Sequence, residues 1–296
     1  MITDLKYKLR YFNALQKLIA INVVIYLVVN IGNVVFRLFN FPEDFITGTV
    51  ADWVAVPSSL STLITRPWTI ITYAFYHERF FHILFNMLWL YFMGQLFVEY
   101  LGEKKLAAVY FLGGIAGAFL FILFYNIFPL FNAEVNISVA LGASASVLAI
   151  TIAIATLLPD YTISLFVPGF TVKLKYIAIV LFLIDLLSIA GSNAGGSIAH
   201  IGGALFGFIF IKRLQKGNDI SAGTQRLISR ISSVFTKQPP IRVVYRKNNS
   251  DEAYNQTKQA SQETIDRILD KISKSGYQSL SNDERDILFK ASKNQK

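Results

Sequence analysis

The chain contains no cysteine, which excludes disulfides, thiolate metal sites and a cysteine nucleophile and leaves the redox compartment open. Histidine is nearly as scarce, with His77, His82 and His200 the whole stock among 296 residues. Charge is scarce too: 16% of residues are charged against 53% hydrophobic, and the mean hydropathy of +0.46 agrees. Ordinary soluble domains carry about a quarter charged residues, so this composition excludes a conventional water-facing surface and points to a polytopic membrane protein.

What the chain does have is long apolar runs. At about 20 residues per crossing, six spans are expected, over residues 18–38, 80–100, 106–128, 141–158, 175–190 and 197–211. The last two are short and call for tilt or local bilayer thinning. The expected fold class is therefore all-α, a six-transmembrane-helix bundle with a small helical tail. Lys6, Lys8, Arg10 and Lys17 precede the first run, Lys104 and Lys105 follow the second, Lys173 and Lys175 adjoin the fifth, and Lys212, Arg213 and Lys216 follow the sixth. With six crossings all of these share one side, which places both termini in the cytoplasm of a cell (inner) membrane. The first run is longer than a signal-peptide core and ends in Arg37 and Phe39 without a small-residue cleavage site, so it is expected to stay as an anchor.

Four segments follow: a cytoplasmic stretch over 1–17, a membrane domain over 18–213, a basic linker over 214–260 and a helical hairpin over 261–296. The outer loop at 39–80 carries Trp53, Trp68 and several Tyr and Phe, suited to the headgroup zone and to short helices lying in it. Within the linker, from Ile220 to Ser250, Arg226, Arg230, Lys237, Arg242, Arg246 and Lys247 surround Pro239 and Pro240 without any acid. Such a segment either meets anionic inner-leaflet lipid or only reinforces topology, and the second is the simpler reading. In the hairpin, Ile265, Ile268, Leu269 and Ile272 recur at helical spacing, Gly276 is a helix stop, and Leu280, Ile287 and Leu288 form a second apolar face.

Polar residues inside apolar runs are functional candidates, because hydrocarbon does not satisfy them. Counting 1.5 Å per residue, His82 and Asn86 lie roughly 3 and 9 Å below residue 80, Ser144 roughly 5 Å below 141 and His200 roughly 5 Å below 197. Four polar groups from three spans thus share one level of the outer leaflet. A serine hydroxyl with an imidazole base is a nucleophile pair, and without an acid beside it the ring is expected to be oriented by packing. His82 and Asn86, four apart, project from one helix face and present two donors to a developing oxyanion. Gly203 and Gly207 give the sixth span a flat stripe for close helix approach, with Gly142 a further small position ahead of Ser144. Ser146 points roughly 200° around the helix from Ser144, so only one of the two faces His200. Asp185 is an acid within the fifth span and reads as a hydrogen-bonded structural group or a proton-coupled site.

Together these residues resemble a family. His77-xxxx-His82-xxx-Asn86 in a second span, Gly142-Ala143-Ser144 opening a fourth and Ala199-His200-xx-Gly203-xxx-Gly207 in a sixth look like the rhomboid intramembrane serine proteases, over about residues 18–213. The resemblance implies a serine endopeptidase with Ser144 as nucleophile and His200 as general base, the Ser144 N–H, His82 and Asn86 stabilising the oxyanion. It also implies transmembrane protein substrates cleaved near the outer face, with no metal or organic cofactor; no nucleic-acid partner is expected. Two positions depart from the family pattern. Ala145 stands where Gly commonly follows the serine, and Trp68-Thr69 replaces a Trp-Arg pair, with Arg66 just upstream. The rival readings are a catalytically silent relative that binds membrane clients, and a small transporter, which would show internal repeats.

Overall fold

The computed structural model describes residues 12–164, 171–235 and 249–293. Lys6, Lys8, Arg10, Lys237, Pro239, Pro240, Arg242, Arg246 and Lys247 lie outside them. The chain divides into two compact units, one within residues 1–237 and one within 238–296.

The first unit opens with α1, Ala14–Leu38. Asn13 starts it with a capping box: its side chain accepts from the Gln16 N–H at 2.8 Å while Gln16 accepts from the Asn13 N–H at 3.0 Å, satisfying donors the helix leaves unpaired. Val24, Val28, Ile31 and Val34 are all more than half exposed along one face, a surface that belongs in lipid rather than water. The outer loop folds into α2 (Phe45–Val54), β1 (Val56–Pro57), α3 (Leu60–Thr65), α4 (Thr69–Thr72) and a 3-10 turn at Tyr73–Phe75. Short helices in this loop match the expectation.

Two long helices follow, α5 (Phe80–Leu101) and α6 (Glu103–Ile127), hinged at Gly102, whose φ of 83° lies in the region that favours glycine. Then come β2 (Val139–Ala140), α7 (Ser144–Leu157), the hairpin strands β3 (Thr162–Ser164) and β4 (Thr171–Lys173), α8 (Leu174–Leu187), α9 (Ala194–Gln215) and α10 (Ala222–Phe235). The all-α class and polytopic character hold: α1, α5, α6 and α9 are long and apolar enough to cross a membrane.

The expected lengths need correction at two places. The sixth run is not short, since α9 has 22 residues; Gly195, Gly196 and Asn193 dilute the hydropathy of its start without breaking it. The fourth is short instead, with α7 holding 14 residues, about 21 Å of rise against a hydrocarbon layer of about 30 Å. That helix does not meet lipid as a free cylinder. Ala145 to Ala155 are all buried, so it is apolar on every side because protein surrounds it. The fifth helix, also 14 residues, stops at Leu187 rather than at 190.

Glycine sets how closely α6 and α9 approach this central helix. A Cβ at Gly203 would fall inside the Ala145 carbonyl and one at Gly207 inside that of Ala149, while one at Gly114 would come within 2.7 Å of the Ser146 hydroxyl. Backbone therefore meets backbone, the packing that small residues permit in membranes. At one end of the bundle, Glu103 accepts from the Ala14 N–H at 2.9 Å and Lys105 reaches Asp219 at 3.9 Å. The start of α1, the α5–α6 turn and the segment after α9 thus share one side.

In the second unit, α11 (Asn249–Ser275) and α12 (Asn282–Lys293) are joined through Gly276, φ 77°. Lys271 pairs with Glu284 at 2.8 Å, with Ile268 and Leu280 buried. The first of these helices begins at 249 rather than 261, in polar turns that carry no apolar periodicity.

Candidate active site

Ser144 is the first residue of α7, and the backbone ahead of it is pinned from the outer loop. β1 and β2 pair antiparallel with Val56 opposite Ala140. Ser58 N–H donates to the Ser138 carbonyl at 3.1 Å, and Gly142 N–H to that of Tyr73 at 2.9 Å. Tyr73 is itself fixed, donating its hydroxyl to Gly114 at 2.6 Å, and Tyr110 donates to Ala74 at 2.7 Å. The aromatic loop and the approach to Ser144 form one hydrogen-bonded unit.

Two histidines close on the Gly142–Ser144 corner. Gly142 has φ 110°, and a Cβ there would sit 2.6 Å from the His82 ring. Glycine is required on both counts, and this position, ahead of the helix, serves ring contact with His82 rather than the helix–helix packing expected for it. His77, buried in the loop before α5, accepts from the Ala143 N–H through Nε2 at 3.1 Å and meets the His82 ring edge-on at 5.0 Å. Burial lowers the His77 pKa to about 3; the His82 charge adds to this and the Phe75 carbonyl opposes it. The neutral ring this maintains is the form that accepts from a backbone N–H.

Asn86 lies one turn beyond His82, 8% exposed, and spends one amide N–H on the His82 carbonyl at 2.9 Å, leaving the second available. Ser146 is turned away toward Gly114 on α6, its buried hydroxyl without a partner among the described residues. His200 stands one turn before Gly203, whose backbone abuts Ala145. Ser144 and His200 are not hydrogen-bonded to each other among the described residues.

One expectation fails outright. An acid does stand beside the histidine: His200 Nδ1 and Asp185 Oδ1 are 2.8 Å apart. The sequence marks Asp185 as an acid inside an apolar run, but nothing in helical periodicity pairs it with a residue 15 positions on. The His77–Ala143 bond was equally invisible, since His77 could as well have sat wet at the membrane surface.

Three further contacts anchor the outer loop. Trp53 and Trp68 stack with centroids 6.1 Å apart, Arg66 lies 4.8 Å over the Trp53 ring, and the Arg66 guanidinium also donates to the Asp52 carbonyl. Arg66 thus joins the tryptophans from two residues upstream.

A family model described as Rhomboid domain matches residues 65–216, just over half of the chain and all of the site. The chain belongs to the rhomboid family. A second model, described only as a family of unknown function, matches residues 248–294. Over 164 residues this rhomboid is 32% identical to RHOMBOID-like protein 12, mitochondrial, of Arabidopsis thaliana, covering 51% of its own length and 48% of that protein. Over 149 residues it is 26% identical to Presenilin-associated rhomboid-like protein A, mitochondrial, of Danio rerio, covering 50% of itself and 37% of the relative. The rhomboid chain therefore spans less than half the length of each of these relatives.

Proposed function

We propose that this rhomboid is an intramembrane serine endopeptidase that hydrolyses transmembrane protein substrates near the outer face of the bilayer. What supports the proposal is the set of contacts around one helix start: Ser144 opens α7, His82 lies against Gly142 two residues ahead of it, and Gly203, one turn after His200, packs on Ala145 beside it. Ser144 Oγ attacks the scissile carbonyl and passes its proton to His200 Nε2; the Ser144 N–H, His82 and Asn86 face the oxyanion; His200 returns the proton to the leaving amine. Water then releases the acyl group by the same route. A polar cavity of about 340 Å³ beside the start of α9, lined by Glu134, Ser138, Ser192 and Asn193 among others, supports a wet outer end of the bundle.

Basic residues on the side shared by the α1 start and the α5–α6 turn support a cytoplasmic placement for that side. On the same side, α10 carries Arg226 and Arg230 beside exposed Leu227 and Ile231 with no acid, which supports contact with anionic lipid.

The test is cleavage of a panel of transmembrane peptides by the purified, reconstituted protein, with products located by mass spectrometry. Wild type is expected to cut within or beside the membrane segment, and Ser144→Ala and His200→Ala to lose at least 10³-fold. Cleavage surviving in both variants contradicts the proposal. The absent Ser144–His200 hydrogen bond favours one alternative, a silent client-binding rhomboid, which binds the same peptides without cutting any.

A further inference from the structure

We infer that Asp185 is a positioning residue for His200, holding the ring at Nδ1 so that Nε2 is the nitrogen offered to Ser144; this rests on the peptidase proposal above. The bond between Asp185 Oδ1 and His200 Nδ1, 2.8 Å long, joins the last turn of α8 to the second turn of α9. Among the described residues His200 is the only hydrogen-bond partner of the Asp185 carboxylate. Ser188, which follows, is occupied with the Ile184 carbonyl at 2.7 Å.

Burial gives the bond its meaning. The helix Leu174–Leu187 hides only Leu174 and Asp185, while Ile179, Val180 and Ile184 are each more than half exposed. A helix that leaves its apolar residues outside and encloses its one carboxylate is not using that residue to build a core. An acid enclosed without a partner is costly in an apolar bundle, so the partner is the reason it is there. Because a carboxylate only accepts, the shared proton belongs on Nδ1, which leaves the Nε2 lone pair free. When Nε2 takes the Ser144 proton, the same carboxylate faces the imidazolium; no proton moves to Asp185.

The test uses the full-length protein reconstituted in lipid, with Ser144→Ala as background. If wild type shows no Ser144-dependent cleavage, the peptidase proposal fails and not this one. Given that activity, Asp185→Asn is expected to lower kcat about 10²-fold with KM within about twofold, because an amide can offer either C=O or N–H and no longer selects one tautomer. Phosphonylation of Ser144 by a fluorophosphonate should slow in parallel, with the melting temperature retained. Asp185→Glu and Asp185→Gln, equal in size, guard against misfolding: the inference expects Glu to retain at least tenfold more kcat than Gln. Wild-type kcat in Asp185→Asn, or equal kcat in Glu and Gln, overturns it.

Discussion

At the scale of single residues, the corner at Gly142–Ser144 depends on groups with no alternative. His77 is the clearest. Its pKa in the fold is about 3 against an ordinary 6.5, so below pH 6.5 the unfolded chain takes up a proton that the folded one refuses. The stability this buried neutral ring contributes is present above pH 6.5 and is lost as pH falls toward 3. Thermal unfolding in detergent at pH 7.5 and 5 should show that loss, and His77→Gln, which keeps an acceptor for the Ala143 N–H, should flatten it. An unchanged slope in that variant contradicts the assignment. Gly203 makes a second case. Gly203→Ala pushes a methyl into the Ala145 carbonyl and should cost about 1–3 kcal/mol. Gly223→Ala, with nothing within 4 Å of the added carbon, should be neutral or stabilising; equal melting temperatures in the two variants contradict the packing argument.

At the scale of elements, α10 should lie on the membrane surface. Since the chain has no cysteine, Leu227→Cys carries a single environment-sensitive dye, whose emission should shift blue in vesicles containing phosphatidylserine relative to neutral ones. Arg226→Gln with Arg230→Gln should remove the difference; identical emission in both vesicle types rejects the contact. Legibility divides cleanly at this scale. Long apolar runs announce α1, α5 and α6, because hydrocarbon demands an apolar helix whatever surrounds it. The length of α7 was not announced, since its apolarity comes from neighbouring helices rather than lipid. The pairing of β1 with β2 joins residues 84 apart in two-residue strands, too short to leave an alternating pattern. Of the site residues, Ser144, His82, Asn86 and His200 stand out as polar groups in apolar surroundings. The Asp185–His200 bond does not, because it depends on how α8 and α9 lie together.

At the scale of the whole molecule, the outer loop, the central helix and the two glycine-bearing helices act as one frame around Ser144. The loop fixes the backbone before it, α6 packs behind it, and α9 brings His200 past it on glycine. The same frame explains why so short a helix can carry the proposed nucleophile: protein, not lipid, encloses it, so it need not span the hydrocarbon, and its start can meet water. The rhomboid relatives carry the word mitochondrial in their names, and each is more than twice as long as the matched segment, so this chain's own membrane is settled by localisation of a tagged full-length protein. The central claim, that Ser144 is a nucleophile activated by His200, is tested most directly by treating the folded, reconstituted protein with a fluorophosphonate and mapping the adduct by mass spectrometry. The expected result is a single adduct on Ser144 that His200→Ala abolishes; an adduct on Ser146, or none on a correctly folded sample, contradicts it.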